Sequence, residues 1–411
     1  MPKYDVAVVG AGLGGLAVAA LLSGKKKKII VIERGGSLSG AVGAYDRDGY
    51  SFYASPALSY GFERGGAFYT LSANLGIVHS VSVHSPCYQV ALPDHRITIF
   101  ADQGETLEEL RREFPKEINA LMKFYRDLHG LAEKSVKSRF WSYVTSRRSA
   151  AGFIRGYRFS RELKTFFDIQ SLYFFQRPVA EVSLVDLITL CDTPPLYLEG
   201  GFKKLADQLY STILQQGGEI LYNQKDAELA SRGGHIVGIK AKQGVIEADT
   251  ILLNLSKRYD SSTIFMGLRD TVIPVGMCPE VLYLPDYQSP QDFYTISLSA
   301  NDNIASAPKG MRALSVSFRS GQSGVVDKQA LIEHLNRLIP FLNDYLVFSD
   351  EHRTGDEGID VPEDVTFKPL RSGEGTSLLY RGSRSIYLLK NAQTAPLQVM
   401  SEVNRYVKKV S

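Results

Sequence analysis

A glycine-rich turn between an apolar strand and an apolar helix constrains this chain more than any other feature. Residues 6–9 form a continuous apolar run, typical of a strand buried on both faces, and lead directly into residues 10–15, which read G-A-G-L-G-G. Helix-forming residues follow at 16–22, and a second apolar run at 29–32 ends at Glu33. This order predicts a complete βαβ unit.

The glycine spacing has a physical reason that points to a dinucleotide. Gly10 permits the tight turn, Gly12 lets the backbone approach a pyrophosphate, and Gly15 lets the helix pack closely on the strand. The helix amino end presents unpaired N–H groups to the phosphates, and Glu33 stands where a carboxylate accepts hydrogen bonds from ribose hydroxyls. That charge disfavours NADP, whose 2′-phosphate it would repel. The residues expected at this half of the site are Gly10, Gly12, Leu13, Gly14, Gly15, Glu33 and Arg34.

Size and composition exclude several classes of protein. A chain of 411 residues that is 44% apolar predicts at least two packed units, and its formal charge of +3 argues against a globally basic nucleic-acid binder. Three widely spaced cysteines encode neither a disulfide framework nor a metal site, which favours a reducing compartment. A strand at the very start leaves no room for a secretory signal, and no apolar run is long enough to span a bilayer. We expect a cytoplasmic protein, at most peripheral on a membrane face.

Three further blocks of sequence follow the glycine turn. The first is E-R-G-G-S-L-S-G-A-V-G-A-Y-D-R-D-G-Y-S-F-Y-A-S-P from Glu33 onward. The second begins with Y-L-E-G-G-F-K-K-L at 197–205 and continues through residues 217–220 and 246–254, and the third runs from 296 to 316. In content and order these blocks resemble one flavoprotein family, that of the phytoene desaturases, carotenoid isomerases and their amine-oxidase relatives.

The resemblance implies a fold and a cofactor. The fold class is α/β, a Rossmann-like FAD-binding domain with a discontinuous, inserted α+β substrate domain. We expect the FAD-binding domain at residues 1–75, 195–260 and 368–411, and the substrate domain at 76–194 and 261–367. Residues 107–133 are expected to be helical, and a mixed or antiparallel sheet is expected around 279–320. Residues 205, 209 and 213 recur at helical spacing and predict a buried helix face.

The sequence departs from the family around the flavin ring. The family's Gly-Gly-Arg is replaced by Ser39, Gly40 and Ala41, so the arginine that neutralises cofactor charge is missing. The family's Phe-Asp-x-Gly-Pro appears as F-Y-A-S-P at 52–56, with bulkier groups where close backbone approach is needed. Near the carboxyl end Lys390 stands where the family has glycine, and a helix is expected to begin near Pro396. Candidate residues of the flavin half are Gly40, Ala41, Tyr53, Pro56, Lys390 and Pro396.

Two functions remain open at this stage. The first is an FAD-dependent desaturase, isomerase or oxidase that transfers hydride from an apolar, isoprenoid-like substrate to flavin. The alternative is a non-redox lipid- or protein-binding protein with a degenerate flavin site, because the GDP-dissociation inhibitors of small GTPases resemble the same architecture without using flavin. No catalytic residue is evident from the sequence. The histidines at 79, 84, 95 and 129 fall at no metal or triad spacing and are interpreted as structural.

Residues 134–164 mix basic and aromatic side chains. Nine lysines and arginines stand against one acid, with six aromatic residues between them, as at a membrane interface. The alternative is a solvated, partly packed helical region. No nucleic-acid-binding fold surrounds the segment, so nucleic acid is not an expected partner. The aromatic cluster at 166–175 is interpreted as core, with a substrate tunnel as the alternative.

Overall fold

A computed structural model gives the architecture of most of the chain. The structure describes residues 3–36, 44–53, 57–232, 235–254, 261–290, 292–299, 306–319 and 328–354, together with 368–369, 379–381, 386–389, 403 and 407. Among these residues the α-helices are α1 Leu13–Ser23, α2 Ala67–Leu75, α3 Gln103–Glu113, α4 Ile118–Lys137, α5 Arg139–Arg147, α6 Ala150–Ile154, α7 Arg161–Phe175, α8 Leu184–Asp192, α9 Gly201–Gln215 and α10 Lys328–Leu338. Short 3-10 turns lie at Arg155–Tyr157, Val179–Glu181, Asp270–Val272 and Leu342–Tyr345.

The strands are short and numerous. In chain order they are β1 Tyr4–Val9, β2 Ile29–Ile32, β3 Ala44–Arg47, β4 Tyr50–Tyr53, β5 Leu58–Ser59, β6 Val81–Ser82, β7 Tyr88–Ala91, β8 Arg96–Ile99, β9 Leu196–Leu198, β10 Glu219–Leu221, β11 Glu228–Arg232, β12 His235–Ala241, β13 Gly244–Leu253, β14 Ser261–Arg269, β15 Glu280–Tyr283, β16 Tyr294–Leu298, β17 Met311–Arg319, β18 Leu346–Thr354, β19 Lys368–Pro369, β20 Leu379–Arg381 and β21 Ile386–Leu389.

The predicted βαβ unit forms the centre of a nine-stranded sheet. Strand β1 pairs in parallel with β2 on one side and with β13 on the other, and the order of the main path is β10-β2-β1-β13-β21-β20-β19. Helices α1 and α9 cover one face, and β11 and β12 belong to the cluster on the other. Every residue of β2 is buried, as its continuous apolar run predicts. The predicted face of α9 is confirmed, since Leu205, Leu209 and Ile213 are all buried.

A second sheet has seven strands in the order β18-β14-β17-β16-β15-β7-β8. Its neighbours are antiparallel except for β15 and β7, so the mixed sheet expected around 279–320 is confirmed. Helix α10 packs on one face through Leu331, Leu335 and Leu338. A large helical cluster built on α4, α7 and α8 packs beside the β7–β8 end of the sheet.

One predicted helix is broken in two. Residues 107–133 were expected to be helical throughout, but α3 ends at Glu113 and α4 begins only at Ile118. Pro115 explains the break, because proline lacks the N–H that a helix needs and disfavours helical backbone at the residue before it. Phe114 accordingly leaves the helix with φ −123° and ψ 56°.

The two sheets draw on different parts of the chain. Strands of the nine-stranded sheet lie within residues 4–32, 219–253 and 368–389, and those of the seven-stranded sheet within 88–99 and 261–354. A small sheet, β5-β9-β6, connects segments on both sides of the predicted boundary at residue 75. The α/β fold class is confirmed, and the domain boundaries stay a prediction. Among the described residues, no helix combines the length and apolar character that crossing a membrane requires.

Candidate functional site

The glycine turn is packed too tightly for any other residue at two positions. Gly10 has φ +97°, and a Cβ there would lie 2.6 Å from the carbonyl oxygen of Asn254. A Cβ on Gly15 would lie 2.3 Å from the carbonyl oxygen of Gly10 and 3.2 Å from Cγ1 of Val8. The two contacts with carbonyl oxygens, at 2.6 Å and 2.3 Å, are shorter than real Cβ contacts. These glycines therefore bring helix α1 close against strands β1 and β13.

The amino end of α1 is built to receive a polar group. Gly12 is the N-cap residue, no side chain caps the helix, and its first turn holds no acidic residue. The first three helical residues, Leu13, Gly14 and Gly15, are all buried. A buried helix end without a side-chain cap has N–H groups that need partners, and phosphate oxygens suit both those donors and the helix dipole. This geometry fits the pyrophosphate predicted here.

Glu33 lies at the end of β2 and braces the turn. Its Oε2 accepts a hydrogen bond from the Ala11 backbone N–H at 2.7 Å, and its Oε1 accepts one from the Gly35 N–H at 2.8 Å. The carboxylate is buried and stands beside the glycine turn, where ribose hydroxyls were expected. Next to it, Arg34 donates from Nη2 to the carbonyl oxygen of Lys225 at 2.6 Å. Their roles toward the cofactor stay predictions.

Asn254 is a site residue that sequence reasoning missed. Its backbone N–H donates to the Val9 carbonyl oxygen at 2.8 Å, and its Nδ2 donates to that of Gly10 at 3.2 Å. The side chain is buried, and its Oδ1 has no hydrogen-bond partner in the described structure. A buried acceptor without a donor beside the glycine turn fits a bound hydroxyl group. Its position directly after a strand could have identified it, because ligands bind at the carboxyl ends of parallel strands.

The flavin half of the site is described only in part. Gly40, Ala41, Pro56, Lys390 and Pro396 lie outside the described residues, so those predictions stay untested. The predicted carboxyl-terminal strand is present as β21, which pairs in parallel with β13. The helix expected after it is described only at Val403 and Val407, which are helical and buried against the α1 side of the sheet.

The β3–β4 hairpin carries Tyr53 onto the seven-stranded sheet. Phe52 packs 5.0 Å, ring centre to ring centre, from Phe265 of β14, and Tyr45 stacks on Phe265 at the same distance. The Tyr45 hydroxyl donates to Oδ2 of Asp350 at 2.6 Å, which ties the hairpin to β18. The hairpin, which follows the glycine turn in the chain, therefore packs into a core that it shares with the seven-stranded sheet.

A cavity of about 150 Å³ lies under this hairpin. Its aromatic wall includes Phe52, Tyr53 and Tyr197, and the ring of His84 stacks on Tyr197 at 4.5 Å between centres. The opposite wall belongs to the seven-stranded sheet and contains Glu280 and a group of serines. Tyr53, expected near the flavin from its motif, is thus part of a cavity between the hairpin and the seven-stranded sheet.

Glu280 is the buried acid of this cavity. Ser297 donates a hydrogen bond from Oγ to its Oε2 at 2.7 Å. Burial raises the pKa of Glu280 to about 8, because desolvation penalises the charged form more than the Ser297 hydrogen bond favours it. A carboxyl group with such a pKa is largely protonated at neutral pH and can donate a hydrogen bond. Sequence reasoning did not single out Glu280, since its burial follows from long-range packing.

The remaining predicted features are structural where they are described. His129 bonds Asp192 at 2.7 Å, which raises the pKa of the imidazole, and His79 bonds Ser72 at 3.2 Å. No cluster of metal-ligating side chains occurs within the described ranges. The aromatic cluster at 166–175 belongs to the core, as interpreted from the sequence, since Phe166, Phe167, Phe174 and Phe175 are buried.

Comparison with known proteins identifies relatives of the sequence. Residues 8–74 match a family described as an NAD(P)-binding Rossmann-like domain. The chain is 24% identical over 300 residues to a chloroplastic prolycopene isomerase of Daucus carota, covering 63% of this chain and 47% of the relative. It is 25% identical over 272 residues to the neurosporene-forming phytoene desaturase of Rhodobacter capsulatus, covering 60% and 51%. The chain spans about half the length of the curated relatives it matches.

Solved structures share the fold over the whole chain. An oxidoreductase from Methanosarcina mazei matches with a TM-score of 0.66 at 16% identity, covering 99% of this chain and 100% of that one. The Rab GDI of Plasmodium falciparum matches with a TM-score of 0.62 at 12% identity, covering 98% of each chain. The chain is therefore similar in sequence to carotenoid isomerases and desaturases, and it shares its fold with an oxidoreductase and with a Rab GDI.

Proposed function

We propose that this chain is an FAD-dependent oxidoreductase of the desaturase, isomerase or oxidase type, and that it acts on an apolar, isoprenoid-like substrate. The observation that carries the proposal is one cavity lined by both the β3–β4 hairpin and the seven-stranded sheet. Ser51, Phe52 and Tyr53, which follow the glycine turn in the chain, line it together with Glu280 and Ser297 of the seven-stranded sheet. A substrate group in that cavity would lie between the cofactor-binding segment and the substrate sheet.

The chain's own residues supply binding and orientation. The uncapped amino end of α1 would hold the pyrophosphate, and Glu33 and Asn254 would face the adenosine ribose. When bound, FAD supplies a hydride acceptor, and the protein's part is to place the substrate against it. Aromatic side chains from the hairpin and from β9 shield the cavity from water, which suits an apolar substrate.

The absorption spectrum of the purified protein tests the cofactor part of this proposal. We expect a yellow protein with the visible absorption of bound flavin. Gly12→Val should abolish flavin retention, because a branched side chain at the N-cap would occupy the pyrophosphate approach and press on Nδ2 of Asn254, 3.0 Å from a Cβ at that position. Gly130→Val is the matched control, since a Cβ there meets nothing within 4 Å. A colourless wild-type protein that FAD cannot reconstitute would overturn the proposal.

The likeness to Rab GDI favours a second candidate function. A non-redox protein that binds a lipid or a protein on the same fold would explain a TM-score of 0.62 over nearly the whole chain. It would also fit the divergence of the flavin-proximal motifs. The same spectrum distinguishes the two candidates, because only the oxidoreductase requires flavin.

We also propose that α5 attaches the protein to an anionic membrane surface. Phe140 and Tyr143 of this helix are more than half exposed, and Val136 at the end of α4 is 89% exposed. Exposed basic side chains surround them at Lys134, Lys137, Arg147 and Arg148. Three other aromatic residues of 134–164 do not contribute, because Phe153, Tyr157 and Phe159 pack against Phe124. Aromatic rings at the interface and cations near lipid headgroups suit a protein that collects an apolar substrate, and co-sedimentation with vesicles tests it.

A further inference from the structure

A polar row crosses one face of the seven-stranded sheet. Glu280 of β15 lies directly opposite Ser297 of β16, and Ser297 lies directly opposite Ser315 of β17. Residues opposite each other in antiparallel strands share a face, and all three line the cavity under the hairpin. The opposite face of the same strands is apolar and packs on α10 through residues such as Val281, Ile296 and Val316. The row is therefore the polar counterpart of the apolar face that packs on α10.

The polar groups of this row face the cavity and make few hydrogen bonds to other side chains. Ser297 bonds Oε2 of Glu280, but Oε1 has no hydrogen-bond partner in the described part of the chain. Ser315 and Ser306, which also lines the cavity, make no side-chain hydrogen bond to any described residue. Glu280, Ser306 and Ser315 are each more than 90% buried. Their polar atoms line the cavity, so an occupant with a polar group can hydrogen-bond to them.

The charge of the cavity restricts the chemistry of that occupant. The described lining contains no lysine, arginine or aspartate, so nothing balances a carboxylate or phosphate. The titratable groups around Glu280 are His84, Cys87 and the phenols of Tyr53 and Tyr197. Tyr173 also interacts with Glu280 electrostatically, and burial raises its pKa. With Glu280 protonated, the row offers a carboxyl O–H and two hydroxyls, which suits a neutral oxygen.

We propose that this row binds the hydroxyl or carbonyl oxygen of an otherwise apolar substrate, with Glu280 as the donor and Ser306 and Ser315 completing the contacts. The proposal rests on the function proposed above and narrows its substrate class to oxygen-bearing isoprenoid-like molecules. A cavity of about 150 Å³ accommodates one ring-sized group, so it receives the oxygenated end while the rest of the chain lies outside.

A matched pair of ligands tests the proposal. Geranylgeraniol and the hydrocarbon with the same skeleton are titrated into the purified full-length protein, and the dissociation constants are compared. We expect the alcohol to bind about tenfold more tightly. Glu280→Ala and Ser315→Ala should remove that preference without weakening the binding of the hydrocarbon. Ser317→Ala is the control: it lies on the same strand, bonds Thr263 at 2.9 Å and is outside the cavity lining.

Glu280→Gln keeps the proposal testable if Glu280→Ala does not fold. The amide still donates a hydrogen bond, so this variant should retain the preference. Equal binding of alcohol and hydrocarbon by the wild type would overturn the proposal. Tighter binding of geranylgeranylamine, lost in Glu280→Gln, would overturn it too, since it would require an ionised carboxylate.

The flavin spectrum of the same samples separates this proposal from the proposed function. A flavin-loaded protein without a preference for the alcohol contradicts only the role of the polar row. A protein that cannot hold flavin but prefers the alcohol contradicts the redox function and supports the row.

Discussion

Glu280 carries a cost in stability that its position in the cavity explains. Its carboxyl group is buried between two strands with a single hydrogen bond from Ser297, so its charged form is poorly solvated. A folded protein tolerates such a group when it stays protonated or when a ligand uses it. At the scale of the residue, this makes pH a direct probe of the cavity.

The pH dependence of unfolding should show this burial. The pKa of Glu280 is about 8 in the folded protein against 4.5 in the unfolded chain, so the folded state binds more protons between these values and the free energy of unfolding falls as pH rises through them. Glutamine does not titrate, so the fall in the free energy of unfolding between pH 5 and pH 9 should be about 3–5 kcal/mol smaller in Glu280→Gln than in the wild type. Urea denaturation at both pH values measures this. Glu108→Gln, at an exposed position, serves as control, and equal pH dependence of wild type and Glu280→Gln would refute the prediction.

Gly15 gives a second prediction at this scale. In Gly15→Ala the new methyl group would collide with the Gly10 carbonyl, so helix and turn must separate, and we expect a loss of about 1–3 kcal/mol in the free energy of unfolding. Gly130→Ala, inside α4 where a Cβ meets nothing within 4 Å, should instead stabilise by about 0.5–1 kcal/mol, because alanine favours helix more than glycine does. Denaturant unfolding of both variants checks the contrast, and similar effects would argue against close packing at the turn.

Helices α4 and α5 both carry part of the basic segment at 134–164, but they pack differently. The amphipathic α4 buries the apolar side chains of Leu121, Phe124 and Leu128, whereas α5 buries Thr145 and exposes Phe140 and Tyr143. The sequence pattern across 134–164 looked uniform, and only packing separates the aromatic rings that enter the core from those that face outward. The exposed rings on α5 are the ones available to a membrane.

Vesicle binding tests the role of α5. The wild type should sediment with anionic phospholipid vesicles at low salt and be released as salt screens the attraction. Phe140→Ser combined with Tyr143→Ser should lower the partition coefficient about tenfold, since the rings no longer enter the interface. Tyr69→Ser, which removes a ring that is 44% exposed on α2, is the control. Failure of the wild type to bind anionic vesicles at low salt would exclude the proposed membrane contact.

At the scale of the whole molecule, cofactor binding should be visible as stability. A ligand that binds only the folded state at 100 times its dissociation constant adds about 2.7 kcal/mol to the free energy of unfolding. We expect FAD to raise the thermal midpoint of flavin-stripped protein, and NADPH to leave it unchanged, because the Glu33 carboxylate repels a 2′-phosphate. Thermal unfolding with each nucleotide measures the difference. Stabilisation by NADPH equal to that by FAD would contradict the assigned role of Glu33.

The local parts of the fold were predictable because their signals are local. The apolar run of β1, the glycine spacing at 10, 12 and 15, and the apolar run of β2 are fixed within thirty-three residues, and the structure places them as one βαβ unit. The helical spacing of Leu205, Leu209 and Ile213 predicted a buried face in the same way. The prediction of one helix over residues 107–133 was wrong because a single proline interrupts the helical pattern around it.

The amino-acid sequence by itself determined the dinucleotide turn, since its turn geometry and close contacts depend on glycines a few positions apart. Only the tertiary structure placed Asn254 beside Gly10, because parallel pairing joins β1 to a strand more than two hundred residues away. It also decided that Glu280 is buried, through the hairpin at 44–53 that packs on a sheet formed much later in the chain. Burial and the pKa shifts it causes belong to surfaces brought together by folding, and no spacing along the chain encodes them directly.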